Sequence, residues 1–210
     1  SIYSLTDASG YATSQKAEVK YVGSYERTVI SDDTHIYIET FENGSDNVML
    51  YEGDYNEPVD AMKAWGFANS VAWTYAADDD YTNTCAVSHS MYTPSGTSND
   101  WMVTPQLLIP DAKCVLSFDA QSYRKSATDV LKVIVYASEQ AINELDAAIV
   151  AEMERNGKVV LNQQLSPGTT EDLLNGDWAH FEFPLAEFAG KQVYIAFVNQ
   201  NTNQSAIFVG

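Results

Sequence analysis

The chain has 210 residues, of which 45% are hydrophobic and 12% aromatic, which is enough for a packed core and excludes global disorder. It carries 11 basic and 29 acidic side chains, so its net charge is −18. This charge repels nucleic-acid backbones and anionic membrane surfaces, and no apolar run is long enough to span a bilayer. We therefore expect no nucleic-acid partner and no membrane insertion by this segment, whereas cations and basic partners are favoured.

Residues 1–16 are polar and show no hydrophobic period, which predicts a lead-in without regular structure. We assign residues 1–36 to an N-terminal extension or the end of a preceding segment, and residues 37–210 to one domain. The chain begins at Ser1 and ends at Gly210, directly after the apolar run 206–209. We expect that a leader was removed or the chain was trimmed, and that the domain is part of a larger or lipid-anchored protein.

The first clear strand pattern runs from His35 to Phe41 and ends at the turn Asn43-Gly44. Residues 42–60 are acidic and rich in turn-forming residues, which predicts a loop. A short helix is compatible with residues 58–68, with Pro58 in its first turn.

Alternation of apolar and polar residues in the second half of the chain predicts five short strands. They occupy residues 113–120, 129–137, 178–185, 191–198 and 204–209. Residues 129–137 are apolar on both faces, which indicates a strand that is covered on both sides. Strands this short and frequent are typical of an antiparallel sandwich, so the predicted fold class is all-β.

One segment of the second half departs from the strand pattern. Ser138 is a candidate N-cap, and residues 156–157, Asn-Gly, are a candidate stop. Apolar residues lie between them at helical spacing: Ile142, Leu145, Ile149 and Met153. We predict an inserted amphipathic helix over residues 138–155 that covers an open end of the sandwich; the alternative is a helix that binds a partner.

The two cysteines are predicted to be buried in neighbouring core positions. Cys114 shares a strand face with Phe118, and Cys85 shares one with Val87. Two cysteines fit either one disulfide in an exported protein or two buried thiols, and the sequence leaves both open.

No catalytic residue is predicted. The three histidines lie far apart without a second ligand at the spacing of a zinc site, and His89 fits a hydrogen-bonded core position. Nucleophile-elbow, Walker and dinucleotide-binding motifs are absent. Carboxylates are so abundant that a pair of them does not by itself indicate a glycosidase. We therefore do not expect an enzyme.

The aromatic side chains allow two interpretations. Sugar-binding modules use exposed Trp and Tyr as flat stacking platforms, whereas a buried Trp fills a sandwich core. A dense aromatic cluster spans residues 65–75. We predict Trp73 and Trp101 to be core residues, with Trp101 between the two sheets. The candidate ligand-binding residues lie in turn-rich stretches, where exposure is expected: Tyr92, Tyr123 and Arg124.

Several short motifs follow one another in a fixed order. Residues 99–107 read Asn-Asp-Trp-Met-Val-Thr-Pro-Gln-Leu, and residues 116–120 read Leu-Ser-Phe-Asp-Ala. Upstream, residues 39–44 read Glu-Thr-Phe-Glu-Asn-Gly, and downstream, residues 188–197 read Phe-Ala-Gly-Lys-Gln-Val-Tyr-Ile-Ala-Phe. This order resembles the cleaved-adhesin family, also called choice-of-anchor J domains, over residues 37–210. The chain departs from the family pattern at Thr40, where the family has Asp, and it lacks the terminal acidic dipeptide.

The resemblance implies a jelly-roll β-sandwich, similar to MAM domains and carbohydrate-binding modules. Members of the family, among them the adhesin regions of gingipain proteases, are non-catalytic and occur on secreted or surface-anchored proteins of Gram-negative bacteria. We expect an exported, adhesin-like binding module, extracellular or at the outer-membrane surface, with a host protein or a glycan as partner. The alternative is a structural spacer domain of a larger surface lipoprotein. A concave groove with exposed aromatics favours binding, and fully buried aromatics favour the spacer.

The turn at residues 42–46, Glu-Asn-Gly-Ser-Asp, is a candidate calcium site. Glu42 and Asp46 offer carboxylates, and an amide oxygen and backbone carbonyls lie between them, which matches the oxygen ligands that calcium takes. Related jelly-roll modules hold a structural calcium between the first and last strands, so the role of the ion would be structural. The alternative is a solvated acidic turn.

Overall fold

The computed structural model describes residues 3–7, 35–42, 47–77, 84–123, 128–165 and 178–210, with the backbone alone for residues 3–7. Within these ranges, thirteen strands form two antiparallel sheets that pack face to face. The predicted all-β antiparallel sandwich is therefore confirmed. No helix in the described ranges is long and apolar enough to cross a membrane.

Each sheet joins strands that are far apart in sequence. Among the described residues, the first sheet has seven strands, in the spatial order β2 (His35–Glu39), β1 (Tyr3–Asp7), β8 (Cys114–Ser122), β13 (Ala206–Val209), β5 (Thr84–His89) and β4 (Thr74–Ala77), with β11 (Ala179–Pro184) also paired to β8. The second sheet, counted over the same ranges, has six, in the order β10 (Lys158–Gln164), β9 (Val130–Ala137), β12 (Gln192–Asn199), β6 (Asp100–Val103) and β3 (Met49–Glu52), with β7 (Leu107–Leu108) also paired to β12.

Side chains alternate along a strand, so each sheet presents two different faces. Odd-numbered residues of β12, such as Phe197, face the first sheet, and the Phe197 ring meets Phe118 of β8 edge-on with 5.0 Å between ring centres. Even-numbered residues of β12, such as Tyr194, belong to a second core on the outer face of the second sheet. Strand β9 is divided in the same way between Val133 and Ile134, which confirms the prediction that this strand is covered on both sides.

Helix α2 (Ala147–Asn156) covers the outer face of the second sheet. Its buried residues Val150 and Met153 pack against that face, and so do Ile142 and Leu145 from the chain that precedes the helix. The inserted helix is confirmed, but its predicted place at an open end of the sandwich is wrong, because the face of the sheet is itself apolar.

The helix also begins later than the sequence predicts. Asp146 is its N-cap, and the Asp146 side chain accepts a hydrogen bond from the Ile149 amide at 2.8 Å. The predicted cap, Ser138, instead accepts one from the Gln140 amide at 3.1 Å and so stabilises a local turn. Both are ordinary uses of a short polar side chain, and the sequence alone does not distinguish them.

The short helix expected within residues 58–68 is present as the single turn of α1 (Asp60–Lys63), although Pro58 precedes its N-cap Val59. Two strands of the first half of the chain differ from the predictions. Strand β3 lies within residues 42–60, where the predicted loop is wrong, because Met49 and Leu50 pair with β6. Strand β1 lies within residues 1–16, where no regular structure is predicted, and it pairs with β2 and β8. The division of the chain at residue 36 stays a prediction.

Trp101 is buried at 1% exposure, and Trp73 is buried as well, so both are core residues as predicted. The predicted position of Trp101 between the sheets is wrong. Trp101 packs with Met49 and Val103 on the outer face of the second sheet, whereas its neighbour Met102 faces the first sheet. The prediction gives the alternation of side chains along β6 correctly, but it assigns Trp101 and Val103 to the wrong face of the sheet.

The two cysteines are buried and are not joined by a disulfide. Cys85 lies two residues before Val87 in β5, so both side chains point to the same face of the sheet. Val87 pairs with Phe208, and Phe208 pairs with Gln121, so Gln121 points to that face as well. Cys114 is seven positions from Gln121 in β8 and points to the other face, so the two thiols lie on opposite faces of the first sheet. The prediction of burial is confirmed, but neighbouring positions are wrong, and the geometry excludes a disulfide.

We predict that Trp101→Ala lowers the free energy of unfolding by about 3–5 kcal/mol, the usual range for deleting a large buried aromatic. The exposed Val159 of edge strand β10 provides the control, because Val159→Ala leaves no buried cavity. Urea unfolding followed by circular dichroism measures both. Equal midpoints for the wild type and Trp101→Ala would show that this side chain does not support the outer core.

Candidate ligand-binding site

An open groove of about 210 Å³ lies on the first sheet beside the edge strand β4. Its walls combine aromatic and small side chains: Trp65, Phe67, Thr74, Tyr75, Ala76, Ala77, Val87 and Phe208. Trp65 is half-buried and Tyr75 is 53% exposed, so both rings offer surface to a ligand. The groove therefore combines an apolar floor with accessible aromatic rims.

The floor of the groove belongs to the outer face of the first sheet. Val87 pairs with Thr74 on one side and with Phe208 on the other, so these three side chains form one row across β4, β5 and β13. Phe118 of the same sheet has the opposite parity and faces the inter-sheet core. The outer face is thus apolar at this point, and Val87 and Phe208 belong to the same buried cluster as the inter-sheet residues.

A tight turn after α1 places Trp65 and Phe67 over this row. The Trp65 and Phe67 amides both donate to the Met62 carbonyl, at 3.0 and 3.2 Å. Gly66 between them has a φ of 89°, a conformation that residues with a side chain adopt only at a cost. The turn therefore depends on glycine at this position.

Tyr123, one of the predicted binding residues, stands next to the groove. Its ring meets Trp65 edge-on with 5.0 Å between ring centres and lies 6.3 Å from Phe208. Tyr123 is half-buried, so it holds Trp65 in place and also presents part of its own edge. Arg124 lies outside the described residues.

Tyr92, predicted to be exposed, is buried at 6% exposure, and that prediction is wrong. The stretch after β5 is drawn inward because Tyr92 forms a bridge with Pro58. The Tyr92 hydroxyl donates to the His89 carbonyl at 3.1 Å and lies 3.4 Å from the Asp54 carboxylate. Burial raises the pKa of Tyr92, so this ring is an internal hydrogen-bond donor and not a platform.

His89 is the hydrogen-bonded core histidine that the sequence predicts. Its Nδ1 accepts a hydrogen bond from the Met91 amide at 3.1 Å, and its ring packs against Phe67 with 4.4 Å between ring centres. Burial lowers the pKa of His89 to about 4, so the ring is neutral at physiological pH. His89 therefore has a structural role, because its neutral ring packs against Phe67.

The predicted calcium turn is only partly described. Glu42 is exposed, and Asp46 lies outside the described residues. The calcium site at this turn therefore stays a prediction.

Two of the buried carboxylates in the described ranges, Asp129 and Asp100, are not among the predicted site residues. Asp129 accepts hydrogen bonds from the hydroxyls of Ser90 and Ser122 at 3.0 and 3.1 Å, and burial raises its pKa to about 6. Asp100 is buried at the start of β6, and burial, followed by the charges of neighbouring carboxylates, raises its pKa well above the usual range. The alternation of side chains along β6 does indicate the position of Asp100, because a residue next to Trp101 points to the other face of the sheet. The burial of Asp129 depends on serines from distant segments, for which the sequence holds no such signal.

Comparisons with known proteins place this fold. The K1 cleaved adhesin domain of Lys-gingipain from Porphyromonas gingivalis W83 superposes with a TM-score of 0.51 and 21% identity, covering 81% of this chain and 91% of that chain. The K3 cleaved adhesin domain of the same protein gives 0.50 and 20%, with the same coverage of 81% and 91%. TmCBM61 in complex with beta-1,4-galactotriose gives 0.45 and 8%, covering 81% of this chain and 89% of that chain.

At this level of identity, the two adhesin domains show the fold. The chain is a jelly-roll β-sandwich similar to cleaved adhesin domains, as the motif resemblance implies. No family model matches the sequence, and no curated protein matches it.

The raised pKa of Asp129 predicts a specific pH dependence. Because the folded state binds this proton more tightly than the unfolded state, the stabilisation is complete below pH 4 and is lost as the pH rises through about 6. Between pH 5 and pH 7.5, Asp129 should lower the free energy of unfolding by about 1.4 kcal/mol, and Asp129→Asn should remove that part of the decline.

Urea unfolding at several pH values measures this difference, and Asp111→Asn on the surface is the control. Parallel pH profiles for wild type and Asp129→Asn would contradict the assignment of the raised pKa to this carboxyl group.

Proposed function

We propose that this chain is an exported, non-catalytic, adhesin-like binding module and that the groove at Trp65 binds the ring of a glycan. The observation that carries the proposal is the pair of accessible rings, Trp65 and Tyr75, at the rims of an apolar groove of about 210 Å³. A pyranose ring has an apolar face of C–H groups that stacks on an indole or phenol ring, as apolar bodies do on aromatic surfaces.

The dimensions and charge of the protein narrow the ligand class. The groove is smaller than the roughly 300–1,000 Å³ of pockets that enclose drug-sized ligands, so it fits one sugar ring at the end of a chain and not a long oligosaccharide. The net charge of −18 disfavours sulfated and sialylated glycans, because like charges repel at long range. A neutral terminal sugar is therefore the proposed ligand.

The same groove favours binding over the spacer alternative. A spacer without a ligand has no need for half-exposed rings, and large aromatics are more commonly buried or paired with a partner. Here the Tyr123 ring packs edge-on against Trp65 and restricts the motion of the indole ring before a ligand binds. This lowers the conformational entropy that is lost on binding.

We further propose that the chain belongs to the cleaved-adhesin family and acts outside the cell or at the outer-membrane surface of a Gram-negative bacterium, as part of a larger or lipid-anchored protein. The motif of residues 99–107 supports this, since it forms β6 and the turn after it in a fold similar to two cleaved adhesin domains. A structural calcium held by Glu42 and Asp46 is part of this proposal.

An array that presents neutral and acidic glycans beside extracellular-matrix proteins tests the proposal. We expect binding to one or more neutral glycans, and a loss of about tenfold or more in affinity for Trp65→Ala and for Tyr75→Ala, which corresponds to about 1.4 kcal/mol per contact. The control is Tyr55→Ala, which removes an exposed aromatic that does not line the groove.

Each outcome of the array has a clear meaning. Glycan binding that survives Trp65→Ala would place the ligand elsewhere on the molecule. Binding to a matrix protein alone would replace the glycan with a protein partner. No binding to either would support the spacer domain.

A further inference from the structure

Glu52 and Asp100 are direct partners across the antiparallel pair of β3 and β6. Both side chains point toward the first sheet, because their neighbours Tyr51 and Trp101 belong to the core on the outer face. Like charges that stand directly opposite each other in a sheet destabilise the pair. A positive charge or a proton between the two carboxyl groups would remove this repulsion.

Asp54 completes a group of three carboxylates. One oxygen from each of Glu52, Asp54 and Asp100 lies within 4.8 Å of the other two. The loop after β3 is folded to place Asp54 there, since Glu52 Oε1 accepts hydrogen bonds from the amides of Asp54 and Tyr55 at 3.0 and 2.9 Å. Asp54 Oδ2 in turn accepts one from the Asn99 amide at 2.7 Å.

Asp100 carries a second, independent observation. The residue is 1% exposed, and its Oδ2 accepts a hydrogen bond from the Ser88 hydroxyl at 2.9 Å. Its Oδ1 is fully buried and receives no hydrogen bond. A buried carboxylate oxygen without a donor is costly, and buried polar atoms in folded proteins nearly always have a partner. Asp100 also lies within hydrogen-bond reach of the Glu52 carboxyl group, so either a shared proton or a cation among the three carboxylates would supply the partner that Oδ1 lacks.

We propose that Glu52, Asp54 and Asp100 hold a calcium ion. The donor set consists of oxygen atoms only, which favours a hard cation over zinc or copper. Oxygens on opposite sides of a calcium ion are about 4.6–5.2 Å apart, so the three carboxylates fit its coordination sphere with little movement. These residues are separate from the turn at Glu42 and Asp46.

The site has a structural consequence for the segment that carries the groove. The Tyr92 hydroxyl lies 3.4 Å from Asp54 and 3.5 Å from Asp100, so an ion there also fixes Tyr92. Around Tyr92, the Thr93 amide donates to the Glu57 backbone carbonyl at 2.9 Å, and the Val59 amide donates to the Met91 backbone carbonyl at 3.2 Å. A calcium ion at this site would therefore stabilise residues 57–59, the start of the segment that leads to Trp65.

Calcium chloride alone, titrated into chelator-treated protein in a calorimeter, tests the proposal. We expect one ion to bind at this site with a dissociation constant of about 10⁻⁴–10⁻³ M, as in extracellular calcium modules, and to raise the melting temperature. Terbium luminescence sensitised by Trp101, which follows Asp100 in the chain, is the second readout.

Conservative variants keep the fold while they remove charge. Glu52→Gln retains the oxygen that accepts the two loop amides, and Asp100→Asn retains an acceptor for Ser88. Both should weaken calcium binding at least about tenfold and abolish the terbium signal. Asp60→Asn, which changes an exposed carboxylate on α1, is the control and should bind calcium as the wild type does.

Three results would overturn the proposal. The first is no calcium binding by the wild type together with an increase in stability for Asp100→Asn, which would show that a shared proton neutralises the carboxylates. The second is binding that Glu52→Gln and Asp100→Asn both retain. The third is calcium binding that is lost in the double variant Glu42→Gln/Asp46→Asn and retained in Glu52→Gln, which would place the ion at the turn of residues 42–46.

Discussion

The structure depends on the alternation of side chains along strands whose two faces both require a cover. Helix α2 and the chain before it cover the outer face of the second sheet. The described residues cover the outer face of the first sheet only in part, because residues 62–67 shield β5 and β13 while His180 and Glu182 of β11 are exposed. The groove forms at the border of this partial cover, where Trp65 meets the row of Thr74, Val87 and Phe208.

Polar side chains join the two sheets inside the sandwich. The Ser88 hydroxyl of the first sheet donates to the Asp100 carboxylate of the second, and the side-chain amide of Asn199 in β12 donates to the Ser88 hydroxyl at 2.8 Å. Buried hydrogen-bonded networks of this kind fix the position of one sheet relative to the other, but any member without a partner is costly. A cation bound by the carboxylates next to this network would supply the partner that Asp100 Oδ1 lacks.

The alternation visible in the sequence was sufficient to predict the sandwich and most strands of the second half. It was not sufficient to assign the faces, since Trp101 and Met102 are both apolar and only the position of α2 decides which of them faces the first sheet. The same holds for Cys85 and Cys114, because the sequence does not show to which face of the first sheet each thiol points. The burial of Tyr92 cannot be predicted, because a turn-rich stretch does not reveal the bridge to Pro58 that buries this ring. The carboxylates at Asp54 and Asp100 meet only through strand pairing, which local sequence does not specify.

Nuclear magnetic resonance of the indole N–H groups, recorded during titration with a glycan that the protein binds, tests the central claim most directly. If the groove is the binding site, the Trp65 signal shifts with ligand concentration, together with the amides of Thr74 and Val87, while the buried Trp73 and Trp101 signals stay in place. Shifts confined to another surface, such as His180 and Glu182 of β11, with no change at Trp65, would contradict the account.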